Sequence, residues 1–276
     1  SFKVGGEVRA FAVPGDLFEM SKVMFYLHMN GVSPLTLGKC TNVIFPDEGL
    51  DIMVISTENL RKLRLGETEN TIYAEAGVSL AKLAQFARDN GLSGLEFASG
   101  IPGSIGGAAY MNAGAYGGEM AKIIVSATTC DAKGDIIVHS IKDMGYGYRH
   151  SPFMQNGEVI LDITLSLKPG NQKDIEALMK DLNQRRATKQ PLEKRSAGST
   201  FKRPDGHFVG QMLEELGLKG FSVGDAQVSE KHAGFLINNG RASCEDMLSL
   251  IHQVQQKVKE AYGVDLHTEV QIVGEE

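Results

Sequence analysis

Gly100-Ile101-Pro102-Gly103-Ser104-Ile105-Gly106-Gly107-Ala108-Ala109-Tyr110-Met111-Asn112-Ala113-Gly114-Ala115-Tyr116-Gly117-Gly118 holds seven glycines in nineteen residues. Glycine loses more conformational entropy on folding than any other residue, so it collects where the backbone takes positive φ or lies directly against another group. Successive N–H groups in such turns form an anion-binding concavity, and a pyrophosphate needs those donors with no Cβ in the way. The stretch reads as a phosphate-binding loop, with a glycine-rich surface loop as the plainer alternative. Gly-Lys-Ser/Thr does not follow the glycines, which excludes a Walker A loop, and no strand, Gly-x-Gly-x-x-Gly and acidic partner line up as a Rossmann fingerprint requires. A nucleotide site here is of another type.

Outward from the loop, alternation and capping residues predict a strand over 71–75, a helix over 79–90 closed by Gly91, a hairpin of strands 123–130 and 136–139 turning at Asp131-Ala132-Lys133-Gly134, and a strand over 159–167. Upstream, a strand over 8–13 leads into a helix capped by Asp16, with Leu17, Met20, Met24 and Leu27 on one face. Strands around 35–37, 43–45 and 52–55 complete a small first lobe, with the turn Gly38-Lys39-Cys40-Thr41-Asn42 at a strand end, where ligands are often bound. Pro169-Gly170 marks a boundary. Beyond it come a helix over 174–188, a basic connector, a long helix over 243–262 stopped by Gly263, and a closing strand over 264–273.

The chain has 276 residues, 42% of them hydrophobic, enough for a buried core and two or three small lobes. Thirty-four acidic against 28 basic side chains give a net charge of −6, a field that repels nucleic acid and anionic membranes. Cys40, Cys130 and Cys244 lie far apart without CxxC or metal spacing and read as reduced, partly buried thiols. No apolar run approaches the roughly 18 residues of a membrane span, and no signal peptide opens the chain, so a soluble cytoplasmic protein is expected. The abrupt start at Ser1 reads as though an earlier segment precedes it.

Three polar clusters could carry chemistry. Between Arg185 and Arg203 seven cations face the single acid Glu193, a local charge of +6. Such a run is either a solvated helix end or an anion site, and Ser196-Ala197-Gly198-Ser199-Thr200-Phe201-Lys202-Arg203-Pro204 within it suits an anionic substrate near a reactive hydroxyl. In Tyr146-Gly147-Tyr148-Arg149-His150-Ser151, Arg149 is either stacked on its tyrosines or aimed at a carboxylate or enolate. Alternation puts Glu269 on the polar face of the closing strand with Asp265, His267 and Gln271, opposite Leu266, Thr268, Val270 and Ile272; by itself that is an ordinary exposed carboxylate. His232 is equally open between roles. No metal-ligand spacing and no Gly-x-Ser-x-Gly elbow occur, so metalloenzyme and serine hydrolase readings find no support.

Over essentially its whole length the chain resembles the UDP-N-acetylenolpyruvoylglucosamine reductase family of bacterial cell-wall enzymes. The opening Ser1-Phe2-Lys3-Val4-Gly5-Gly6, the loop from Gly100 to Gly117, Tyr148-Arg149-His150-Ser151, Ala197 to Pro204, and Glu269-Val270 through Gly274 are similar to that family's signatures. The spacing from the glycine loop to Arg149 resembles the shorter, second type. The resemblance implies an α+β fold: a two-lobe FAD-binding domain of the PCMH, or vanillyl-alcohol-oxidase, type over 1–170, with lobes of about 1–60 and 61–170. A smaller α/β lobe over 171–276 would bind the UDP-sugar.

By the same resemblance, Gly38, Lys39, Cys40, Thr41, Asn42, Gly100, Ile101, Pro102, Gly103, Ser104, Gly106, Gly107, Asn112, Gly114, Ala115 and Tyr116 would hold FAD. Cys40 stands where the family usually has glycine, and Arg203 where many members have asparagine. Lys189, Lys202, Arg203 and His232 would bind the substrate. NADPH would reduce the flavin and leave, after which hydride passes to the enolpyruvyl β-carbon. Arg149 and a protonated Glu269 would stabilise the enolate, and Ser199 would protonate its α-carbon. The implied product is UDP-N-acetylmuramate, made by a monomer. The residues also leave room for another FAD oxidoreductase of the same superfamily, or for a silent nucleotide-binding module.

Overall fold

The structure is a computed structural model that describes residues 1–140 and 144–274. Its contacts divide the chain into two units: Ala10–Lys39 with Ile52–Arg185, and Ser1–Arg9 with Cys40–Asp51 and Arg186–Glu276.

The first unit is built on a five-stranded antiparallel sheet in the order Ile136–Ser140, Ile124–Cys130, Val159–Ser166, Thr71–Glu75, Leu63–Leu65. Period-two alternation sends Ile72, Ala74, Ala127, Ile163 and Leu165 to one face, where the helices Leu80–Asp89 and Ile105–Tyr110 complete a single core. Tyr73, Glu75, Thr128 and Asp162 fall on the other. Glu75 and Asp162 are directly opposed cross-strand partners, and both are buried. Asp162 is held by the hydroxyls of Thr128 and Tyr73, while Glu75 accepts from the Lys62 N–H. The helix Leu17–Met29 starts as its sequence demands, with the Asp16 carboxylate accepting from the Glu19 N–H at 2.8 Å. It follows strand Val8–Ala12, which neighbours Leu50–Ser56 and then Leu35–Leu37 in a three-stranded sheet.

The second unit has a separate core of Phe2, Ile44, Phe201, Leu213, Leu236, Met247, Ile251, Val254 and Val270. Each fully buried large apolar side chain there contributes roughly 1.5–3 kcal/mol. Helix Cys244–Tyr262 carries its apolar stripe against the small sheet of Ser222–Val223, Ala226–Val228 and Leu236–Asn238. Its N-terminus is closed twice. Ser243 and Asp246 form a reciprocal capping box, and both Asp47 carboxylate oxygens accept from the Cys244 N–H at 2.8 Å.

Two sequence expectations change. Val43–Ile44 pairs in parallel with Gln271–Ile272, rather than joining the small sheet of the first lobe. The expected strand over 264–273 is regular only at Gln271–Ile272. Upstream it touches Phe201 through a single bridge at Thr268, then bends so that the N–H groups of Glu269 and Val270 both turn to the Thr200 carbonyl. The alternation survives where packing requires it, since Leu266 and Val270 are buried, but two different partners at its two ends prevent one continuous ladder.

Candidate active site

The glycine loop of the first unit is strapped to the segment before helix Leu80–Asp89. Ile105 N–H donates to Val78 O, Gly106 N–H to Ala76 O and Leu80 N–H to Gly103 O. Its glycines then divide into two kinds. An added Cβ at Gly106 would lie 2.7 Å from Ala76 Cβ, at Gly118 2.4 Å from the Phe97 ring, and at Gly38 2.7 Å from Ser104 Oγ. Close packing alone accounts for these, and the last contact brings the turn after Leu35–Leu37 against the loop. At Gly107 a Cβ would meet only Ser104 Oγ at 3.7 Å, and at Gly117 nothing within 4 Å. At Gly117 a φ of +84° is reason enough for glycine, whereas the bare backbone at Gly107 serves no packing purpose, which fits a ligand such as FAD laid against it.

Around the same loop Gly103, Asn112, Tyr116 and Gly117 take positive φ, as does Cys40 in the other turn (+51°). Ser104 caps the short helix and is buried; Ile101 and Gly114 are half-buried, and Lys39, Pro102 and Tyr116 are exposed. The Asn112 side chain is not offered outward. It is 2% exposed, its Nδ2 donates to Gly147 O at 2.8 Å and its Oδ1 accepts from Ala121 N–H at 2.9 Å.

Arg149 sits at the tip of a tight turn in which Gly147 and His150 exchange backbone hydrogen bonds, with a φ of +51°. Its guanidinium donates to the carbonyls of Gly114 (3.0 Å) and Asn112 (3.4 Å) and lies 5.0 Å from the Tyr148 ring. The stacked and the charge-presenting readings of Arg149 are therefore compatible in one geometry.

Ser199 and Glu269 belong to the second unit and share one rivet. Thr200, fully buried, donates its N–H to Gly234 O, accepts the Leu236 N–H on its hydroxyl and takes the Glu269 N–H on its carbonyl at 2.8 Å. Alternation then turns the neighbouring Ser199 outward, and it is exposed. Asn42 belongs to the same frame: its amide donates to Glu269 O at 3.0 Å and its carbonyl accepts from Gln271 N–H. Glu269 is half-buried, on neither a plain solvent face nor the core.

The basic run is partly consumed by the fold. Arg185 pairs with Asp181, Arg195 donates to Gly240 O and Arg186 is buried. Lys189 is exposed and Lys202 half-buried beside Ser199 and Thr200, with its N–H on His267 O. Arg203 lies 3.8 Å over the exposed Phe208 ring. His232 accepts from Gly234 N–H on Nδ1 at 3.1 Å, and burial pushes its pKa below the ordinary value. That acceptor role fixes the neutral ring with its proton on Nε2. Sequence reading overlooked Asp47; Thr200 and Ser151 stood inside quoted stretches and Asn112 among the expected cofactor residues, but no sequence signal pointed to the partners they have here.

Residues 8–140 match the family described as FAD binding domain, and residues 190–273 match UDP-N-acetylenolpyruvoylglucosamine reductase, C-terminal domain. The UDP-N-acetylenolpyruvoylglucosamine reductase of Clostridium tetani is 46% identical over 100% of this chain and 89% of the relative. That of Lactobacillus helveticus is 45% identical over 99% and 91%. The crystal structure of the Thermus caldophilus reductase, MurB, superposes with a TM-score of 0.84 at 32% identity, covering 98% of this chain and 94% of the other. The expected α+β class, an FAD-binding domain followed by the smaller reductase-specific lobe, holds. The chain belongs to the UDP-N-acetylenolpyruvoylglucosamine reductase family.

Proposed function

We propose that this chain reduces the enolpyruvyl ether of UDP-N-acetylglucosamine to UDP-N-acetylmuramate with NADPH, a step of peptidoglycan precursor synthesis. When bound, FAD accepts hydride from NADPH and supplies it to the terminal methylene carbon of the enolpyruvyl group. The residues that would hold the cofactor are those of the two glycine-bearing turns, Gly38–Asn42 and Gly100–Tyr116, where the backbone of Gly107 is bare and unobstructed. Asn112 contributes through its main chain, since its amide is committed within the fold.

Hydride addition leaves an electron pair on the substrate α-carbon, delocalised into its carboxylate. The Arg149 guanidinium stabilises that charge, and the Glu269 carboxyl in its protonated form would donate a hydrogen bond to it. Ser199 Oγ–H then protonates the α-carbon. Being exposed, the resulting alkoxide recovers its proton from water. Lys189, Lys202, Arg203 and His232 take the UDP diphosphate and sugar, with His232 donating from Nε2. On this reading residues 1–170 carry the cofactor turns together with Arg149, and 171–276 carry the remaining substrate residues. The same reading has the protein working as a cytoplasmic monomer; no described helix is long and apolar enough to cross a membrane.

The observation that carries this reading is the shared Thr200 rivet, which presents an outward serine and a carboxyl from segments almost 70 residues apart on one frame. The experiment is anaerobic and optical. The purified yellow protein bleaches on NADPH, and the enolpyruvyl UDP-sugar restores the colour; failure of the second step with intact bleaching rejects the substrate.

A further inference from the structure

We infer that Ser151 and Asn112 are positioning residues for Arg149: together they anchor both feet of the turn that carries it to the segment its guanidinium grips. Ser151 is 0% exposed, and its hydroxyl donates to Tyr110 O at 2.6 Å. Asn112 Nδ2 donates to Gly147 O at 2.8 Å. Gly147 and Ser151 flank the turn Gly147-Tyr148-Arg149-His150, closed by reciprocal bonds between Gly147 and His150. From the tip, Arg149 reaches back to Asn112 O and Gly114 O. Four bonds therefore join Gly147, Arg149 and Ser151 of one loop to residues 110–114, and two of them are made by the guanidinium itself.

The arrangement is directional. A guanidinium carries five N–H donors in one plane, and fixing two of them on neighbouring carbonyls sets the direction in which the remainder point. The left-handed backbone at Arg149 is one that L side chains rarely adopt, so the turn keeps it only while its ends are held. Asn112 is itself pinned from behind by Ala121 N–H on Oδ1. Without either anchor the turn would relax, and the guanidinium would lose its register without losing its charge.

This rests on the reductase reading for its kinetic arm, and a second arm does not need it. In Ser151→Ala, bleaching by NADPH stays within about twofold of the parent, while recolouring by the enolpyruvyl substrate slows roughly tenfold or more, as expected for a displaced catalytic group. In an Arg149→Ala background the same substitution adds less than about twofold, because there is no guanidinium left to place. Independently of substrate, ¹⁵N spectra of the Arg149 side chain in the holoprotein should show two resolved Nη signals in the parent and one averaged signal in Ser151→Ala. Should Ser151→Ala fail to fold, Asn112→Asp is read in the same spectrum, since its carboxylate keeps an acceptor for Ala121 but puts a negative charge where the donor to Gly147 stood. Retained splitting, or equal slowing with and without Arg149, overturns the inference. If the parent is never recoloured, the reductase reading fails while the spectrum still decides the positioning role.

Discussion

The N–H of Glu269 donates to the carbonyl of Thr200 at 2.8 Å, so the residue after Ser199 holds the backbone that carries Glu269. Two side chains proposed to act on the same enolate, Glu269 by stabilising it and Ser199 by protonating it, are thereby referenced to one buried threonine rather than to two independent loops.

Ser199→Ala and Glu269→Gln should separate the two halves of the reaction. Both variants are expected to bleach with NADPH at the parent rate. Ser199→Ala should then recolour roughly 10²-fold more slowly or worse, the range usual for a lost general acid. Glu269→Gln, which keeps a hydrogen-bond donor, should lose less. Stopped-flow absorbance of each half-reaction checks this, and equal recolouring by Ser199→Ala rejects its role.

Two adjacent glycines should respond oppositely. Gly106→Ala drives a Cβ to 2.7 Å from Ala76 Cβ and 3.1 Å from its carbonyl oxygen, and overpacking of this kind costs about 1–3 kcal/mol. Gly107→Ala meets no such obstacle and lies in helix Ile105–Tyr110, where alanine gains up to about 1 kcal/mol over glycine. We expect a lower melting temperature for the first. For the second we expect an unchanged or higher one in the flavin-free protein, with flavin content after purification clearly reduced. Normal flavin retention in Gly107→Ala would remove that residue from the cofactor cradle.

Asp162 should make the protein less stable as pH rises. Burial, and to a smaller extent Glu75, raises its pKa above 3.8, while Thr128, Tyr73 and Arg64 oppose the shift. A folded pKa above the unfolded one means that the folded chain binds more protons across that interval; the contribution is present below about pH 4 and is lost as pH climbs through the raised value. Asp162→Asn can still accept from Thr128 and exchange a hydrogen bond with Tyr73, yet carries no charge beside Glu75. Its melting temperature should equal or exceed the parent's at pH 7.5, with the difference shrinking towards pH 4.

His232 acts in the opposite sense. Its folded pKa is depressed from 6.5 by burial, so below that pH the unfolded chain takes up the proton more readily, and stability is lost as pH falls through the depressed value. His232→Asn keeps an acceptor near the Nδ1 position for Gly234 N–H without a titrating ring. Melting curves between pH 7.5 and 5 should show a steeper fall in the parent than in this variant.

Local chemistry was readable wherever a residue acts on its own neighbours. Asp16, Ser79 and Ser243 each cap the helix that follows them, because a short oxygen-bearing side chain there satisfies N–H groups within three residues. Period-two alternation gave the sheet strands for the same reason. The motifs around Gly100, Arg149, Ser199 and Glu269 named the residues to watch, but not their partners.

By itself, then, the sequence determined the capped helices, the long strands of the first unit, the glycine-rich backbone and the family, but not the strand Leu63–Leu65, the helix Ile105–Tyr110, the small sheet of the second unit or the true extent of the closing strand. Only the tertiary structure decided that Val43–Ile44 pairs with Gln271–Ile272, that Gly106 is bare for packing while Gly107 faces open space, and that the Asn112 amide holds the Arg149 turn. These outcomes depend on contacts between segments tens to hundreds of residues apart. A period of 2 or 3.6 records which way a side chain points, and says nothing of what it will meet there.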